Sequence, residues 1–496
     1  MDYSNLTNTY RELEATTKRL EKTEIISELL KKTKEKELNQ IIYLLQGKAF
    51  PKWDERKTGM SSRLVLKAIN SATGISTTDL EKEWVKKGDL GNVVEEQIKK
   101  VKQTSLFKTK LTIDKVFKNI QKLAELEGKG TVTKKIQYII ELLTSAEPEE
   151  SKYIIRTVIE DLRIGVKDGV IKDSIAKAFS KEPIQIEKAY NLTNDFAEVA
   201  MAAKNNKLSD LKMQVGKPIN PMLAIKVENI EEGFKAVGMP AQAEYKLDGF
   251  RLQIHKNNSE INLFTRKLEN VTKQFEEILL IIKSNIKLKK CILDAELVGY
   301  SPKTNKYLPF QHISQRVRRK YNIEAMAKEV PVEINVFDIM CKGETSLLDL
   351  SQEKRREILE EIIIEEKHKI ILTNKIITEN KKELEKFYKE SLKKGNEGVM
   401  IKSTDSNYVP GRRVGGWVKL KPIQETLDLV ITGAEWGEGK RANWLSSLTI
   451  SCKEGDEFLE IGKVGTGIRE KEHEEGLSFS QITKELEPLI ISKKGK

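Results

Sequence analysis

At 496 residues the chain exceeds one ordinary core, and roughly 150 residues per domain gives about three domains. With 39% hydrophobic and 33% charged residues it reads as a globular protein, and no run supplies the ~18 uncharged apolar residues of a membrane span. Lysine and arginine outnumber aspartate and glutamate by 87 to 75, a net charge of +12, which suits a nucleic-acid partner or simply a lysine-rich surface.

The polar start, Met1-Asp-Tyr-Ser-Asn5, is no signal peptide, so a cytoplasmic protein is expected. Residues 1–215 read as an all-α domain. Ile26, Leu29, Leu30, Leu38, Ile41 and Leu45 recur at helical spacing before Gly47, and Ile136 to Leu143 and Ile155 to Leu162 repeat the pattern. Two prolines at Pro218 and Pro221 break that rhythm. From 216 to 422, β-type runs at 250–255, 291–300, 332–340 and 398–402 alternate with helical stretches at 354–369 and 381–393, which predicts an α+β domain. The remainder, 423–496, holds three strand-like runs at 428–435, 445–452 and 458–464 between glycine-rich turns, the pattern of a small β-barrel.

Three cysteines, Cys291, Cys341 and Cys452, lie far apart in apolar runs and read as core thiols, and four histidines show no metal-binding spacing. The chemistry therefore falls to lysine, arginine and carboxylates. In Ala243-Glu-Tyr-Lys-Leu-Asp-Gly-Phe-Arg-Leu-Gln-Ile254 a strand delivers Lys246 into a turn, and the next strand points Phe250, Leu252 and Ile254 inward and Arg251 to a polar face. A lysine amine becomes a nucleophile once its surroundings favour the neutral form. Alone, the tetrapeptide Lys-x-Asp-Gly is a common β-turn.

Its company decides the matter. Behind it come Phe264-Thr-Arg266, Leu293-Asp-Ala-Glu-Leu297, Val336-Phe-Asp338, Glu397-Gly-Val-Met-Ile-Lys402 and Trp417-Val-Lys-Leu-Lys421. The ordered set resembles the covalent nucleotidyltransferases (DNA ligases, RNA ligases and capping enzymes) and is most similar to archaeal ATP-dependent DNA ligases. The resemblance covers nearly the whole chain. It implies a helical DNA-binding domain, an ATP-grasp-like nucleotidyltransferase domain and an OB-fold barrel. It further implies nick sealing in replication, repair and recombination, with ATP and Mg²⁺ as cofactors.

By that resemblance Lys246 is the nucleophile that becomes lysyl-AMP. Glu244 accepts from the adenine amino group, and Phe337 stacks on the base unless it is a core residue. Arg251 and Arg266 pair with phosphate or ribose, and Lys419 and Lys421 neutralise the α-phosphate. Arg413, beside Arg412, matches a further nucleotide-contacting arginine. Asp294 and Glu296 share a strand face, and Glu296, Glu397 and Asp248 are the metal candidates, Glu296 also contacting the nucleotide. Arg156, Arg163 and Lys167 resemble the family's DNA-binding segment, with a plain helix end at Gly165 as the alternative. Gln103-Thr-Ser-Leu-Phe107 resembles a sliding-clamp-binding peptide, and a monomer is expected.

The family's last, arginine-rich motif has no counterpart past Val464-Gly-Thr-Gly-Ile468. The barrel is therefore expected to be short of strands, and the chain to self-adenylate poorly or not at all while still binding nicked DNA and sealing pre-adenylated DNA. The rivals are an RNA ligase and a non-catalytic DNA-binding remnant.

Overall fold

The computed structural model describes the chain except residues 101–109, 127, 129, 319–322, 423–425, 439–440, 456, 471–475 and 493–496. The first part is helical through Phe196–Lys204. Its helices bury apolar stripes such as Ile26, Leu29 and Leu30 in one core that also takes in Tyr3, Tyr10 and Tyr153. The periodic run from Ile26 to Leu45 is two helices, Arg19–Lys32 and Glu35–Leu45. The break falls at Thr33, whose N–H turns back to Leu30.

The middle part holds two sheets that line a common cleft. One sheet has the order β1 (Leu223–Val227), β11 (Arg413–Leu420), β10 (Gly398–Ser403), β2 (Ala241–Lys246) and β9 (Lys375–Thr378). The other runs β4 (Glu260–Thr265), β3 (Phe250–Asn257), β5 (Lys290–Gly299), β6 (Val332–Lys342) and β7 (Thr345–Ser346), with β8 (Ile370–Leu372) parallel to β6. The expected helix over 354–369 is shorter, Gln352–Ile362. Its β-branched continuation extends instead, and Ile363 bridges to Ile286.

In β3, Leu252 and Ile254 enter the sheet's core as expected. The opposite face is buried too, for Gln253 is 4% and His255 0% exposed. The segment joining the helical part to β1 covers them: Gly216 N–H donates to His255 Nδ1 at 2.9 Å, and Ile219 N–H to Gln253 Oε1 at 2.8 Å. An Arg412–Glu187 ion pair of 2.5 Å also ties the two parts.

The last part is an antiparallel sheet of β12 (Val430–Trp436), β13 (Leu445–Glu454) and β14 (Glu457–Val464), with helix Phe479–Leu486 on β13. The described residues form this open sheet rather than a closed barrel, and Phe458, Leu459 and Ile461 stay exposed. Cys291 and Cys341 are buried thiols, whereas Cys452 is half-buried because it lies in this thin sheet. Among the described residues no helix is long and apolar enough to cross a membrane.

Candidate active site

Strand alternation builds one wall of the cleft. On β2, Ala243 and Tyr245 point into the apolar core while Gln242, Glu244 and Lys246 face the other way. Pairing sets Met400 opposite both Glu244 and Lys419, and Lys402 opposite both Gln242 and Trp417. Gly398 sits opposite Lys246 with φ +142°, and a Cβ there would collide with the Leu420 carbonyl, so only glycine fits.

The turn after Lys246 carries the chain to the second sheet, which supplies Arg251, Arg266, Glu296 and Phe337 to the other wall. Gly249 allows that crossing, since a Cβ there would lie 2.7 Å from the Leu297 carbonyl. The cleft measures 760 Å³, ample for a nucleotide.

At its centre Lys246 Nζ and Lys421 Nζ both lie 2.5 Å from Glu397 Oε2. Burial by itself would raise the Glu397 carboxyl, but hydrogen bonds from the two lysines outweigh it and hold the group below its ordinary range. Burial pushes Glu296 up to about 7, against the pull of Lys246 and Arg251. At the inner end Glu244, 2% exposed, lies among Gln242, Lys402 and Arg356.

The structure thus brings together Glu244, Lys246, Arg251, Arg266, Glu296, Phe337, Glu397, Lys419 and Lys421, and Asp248 borders the same cleft. Asp248 Oδ2 accepts from the N–H of Phe310, 3.1 Å away at the start of helix Phe310–Arg318. Arg413 opens β11, and its side chain is outside the described residues. The clamp-like segment from Gln103 to Phe107 lies outside them as well.

Two expectations need correction. Arg251 is not a free phosphate donor: it grips Asp294 at 3.1 and 2.5 Å, and Nη1 reaches the Met222 carbonyl at 2.7 Å. Asp294 also accepts from Tyr408 at 2.7 Å, so it does not pair with Glu296 as an open carboxylate. Arg156 is 1% exposed, caught between Asp89 at 2.5 Å and Glu14 at 3.1 Å, and cannot present itself to a phosphate. Nearby Arg163, 21% exposed, pairs with Asp161 at 2.7 Å, and Lys167 is exposed.

Met400, Lys402 and Trp417 line the cleft without having been singled out. The signal was available: 400 and 402 alternate with the core residues Val399 and Ile401 inside a motif already recognised.

Residues 221–421 match the family model described as ATP dependent DNA ligase domain, and residues 2–176 match DNA ligase N terminus. The chain belongs to the ATP-dependent DNA ligase family. It is 45% identical to a DNA ligase of Nanoarchaeum equitans, over 100% of this chain and 88% of that one. It is 37% identical to a DNA ligase of Archaeoglobus fulgidus, over 98% of this chain and 86% of the relative. The solved structure of Pmar-Lig_PreS3, 18% identical, aligns with a TM-score of 0.53 over 94% of this chain and 88% of that one, a likeness of fold. An archaeal-type ligase that seals nicks in duplex DNA with ATP follows from the family and the full-length relatives. The RNA-ligase and remnant readings are not favoured.

Proposed function

We propose that Lys246 is the nucleophile of this ligase, and that Glu397 and Lys421 manage its charge. The observation that carries the reading is the shared Glu397 oxygen, 2.5 Å from both ammonium groups. Lys246 Nζ must shed a proton before it attacks, and the cationic Lys421 on the same Glu397 oxygen favours that loss, while Glu397 holds the two amines in place. The amine then attacks the α-phosphorus, the bond to the pyrophosphate oxygen breaks, and pyrophosphate leaves with the electron pair. Lys419 and Lys421, which line the same cleft, are read as neutralising that charge.

In the next step a 5′-phosphate oxygen of the nick attacks the same phosphorus and Lys246 departs. The 3′-hydroxyl then attacks the 5′-phosphorus and AMP leaves. Glu244 faces the adenine edge and Phe337 its ring; Arg266 reaches phosphate or ribose from the opposite wall.

Among the described residues no three carboxylate, histidine or cysteine side chains cluster as a closed metal cage. Mg²⁺ takes only one or two carboxylates and completes its shell with phosphate and water. Glu296 and Glu397, which influence one another across the cleft, fit that demand. Bound there, Mg²⁺ would supply charge neutralisation at the phosphates.

For DNA, Arg163 and Lys167 are the proposed phosphate contacts. The open C-terminal sheet is read as part of an OB-type barrel, supported by its exposed apolar strand β14. Clamp docking through Gln103 to Phe107 and a monomeric state rest on the sequence resemblance. The test is intact mass after incubation with ATP and Mg²⁺, followed by sealing of a nicked duplex. A gain of one AMP that is discharged by nicked DNA is expected, and would overturn the sequence expectation of poor self-adenylation; sealing without any protein-bound AMP would sink the covalent route.

A further inference from the structure

We propose that Lys402 is the positioning residue for base selection, fixing the Glu244 carboxylate in the orientation that accepts from an adenine amino group. The inference rests on the reading of Glu244 as the base acceptor.

Lys402 is 1% exposed, although lysine is almost never fully buried without a partner. Its partner is Glu244, with Nζ 2.7 Å from Oε2. The other oxygen, Oε1, accepts from Gln242 Nε2 at 2.6 Å, and Arg356 Nη1 stands 4.0 Å away. An ion pair at one oxygen and a hydrogen bond at the other restrain the carboxylate, yet each oxygen keeps a lone pair for the cleft. A fixed acceptor favours an amino group and opposes the carbonyl that guanine presents there.

The same ammonium lies 5.0 Å from the ring centroid of Phe337 and 4.5 Å from that of Trp417. Such distances are within cation–π range. One cation therefore ties the group that reads the base edge to the ring that meets its face. Cross-strand pairing of Lys402 with both Gln242 and Trp417 sets the whole row.

A double-mutant cycle on the full chain tests this, following lysyl-AMP formation against ATP and GTP concentration. Glu244→Gln and Lys402→Met are each expected to raise the KM for ATP about tenfold, with kcat changed less than about twofold. Each should narrow the preference for ATP over GTP to a similar degree, and the double variant should match Glu244→Gln alone within about twofold. A folded Lys402→Met protein with unaltered KM and preference, beside an impaired Glu244→Gln, overturns the role of Lys402 and leaves Glu244 standing. Additive effects overturn it too, because Lys402 would then act on the nucleotide without Glu244. No effect of Glu244→Gln overturns the base-acceptor reading and this inference with it. Should Lys402→Met not fold, the double variant, which buries no unpaired charge, decides: a KM well above that of Glu244→Gln refutes the coupling, and an equal KM supports it.

Discussion

Arg156 in the helical domain and Lys246 in the cleft each meet carboxylates at 2.5 Å, yet their surroundings differ. The Arg156 side chain is 2% exposed and Asp89 5%, and its remaining nitrogens are taken by Asn92 and by Glu14, the one member that is 33% exposed. In the cleft, Lys246, Glu397 and Lys421 keep 22%, 29% and 35% of their side-chain surface open. A closed cluster holds helices in place, because each donor already has its acceptor. An open one can exchange partners with an incoming phosphate. Ion pairing alone therefore does not mark a functional residue; room to re-pair does.

The sharpest way to break this comparison is at the nucleophile. Lys246→Ala should abolish the AMP adduct in intact-mass spectra while leaving the melting temperature within a few degrees. A retained adduct would move the nucleophile elsewhere, and collapse of the fold would make Lys246 a scaffold residue like Arg156. Next in size is Arg156→Met, expected to destabilise the protein by about 3–5 kcal/mol in urea unfolding, the usual result of stripping one partner from a buried ion pair. Affinity for nicked DNA, measured where the variant is still folded, should hold with an unchanged salt dependence. A loss of about one unit of salt slope would instead make Arg156 a phosphate contact.

Glu397→Gln tests the open cluster from its acid side. The amide keeps the shape but not the charge that Lys246 and Lys421 share. Lysyl-AMP formation should fall about 10²-fold, the scale of losing one electrostatic contact at a reacting centre. Stability should change little, since partly exposed pairs contribute little. The reverse result, a stable rate and a large loss of stability, would erase the distinction between the two clusters.

Much of the cleft was legible because strand alternation and motif order are local properties. Glu244 and Lys246 sit two apart on β2, Lys419 and Lys421 on β11, and both pairs line the cleft. Arg251 was misread because a sequence shows which face an arginine takes but not that Asp294 and Tyr408 wait there from two other segments. Arg156 failed for the same reason: Asp89 and Glu14 are 67 and 142 positions away. Helix ends were the other weakness. Nothing local in Ile362-Ile363-Ile364 announces that Ile363 bridges to Ile286 across the core.

The smallest expected effect concerns a closed site with one proton to gain. His255 is fully buried, and burial pulls its pKa down to about 3. As a neutral ring it accepts the Gly216 N–H at Nδ1 and meets Gln253 Oε1 at 2.8 Å through Nε2. A proton on Nδ1 would face that N–H and expel the segment that joins the helical domain to β1. Because the folded pKa lies below the ordinary value near 6.5, the folded state binds fewer protons than the unfolded one across that interval. The stabilisation is therefore complete above about pH 6.5 and declines as pH falls toward 3, by at most about 1.4 kcal/mol per pH unit. Comparing melting temperatures of the protein and His255→Gln from pH 7 to pH 5 isolates this proton from the carboxylates common to both. The gap should shrink steadily as the solution is acidified. A gap that stays constant would mean that His255 holds the connecting segment by packing against Phe264 and not by its unprotonated nitrogen.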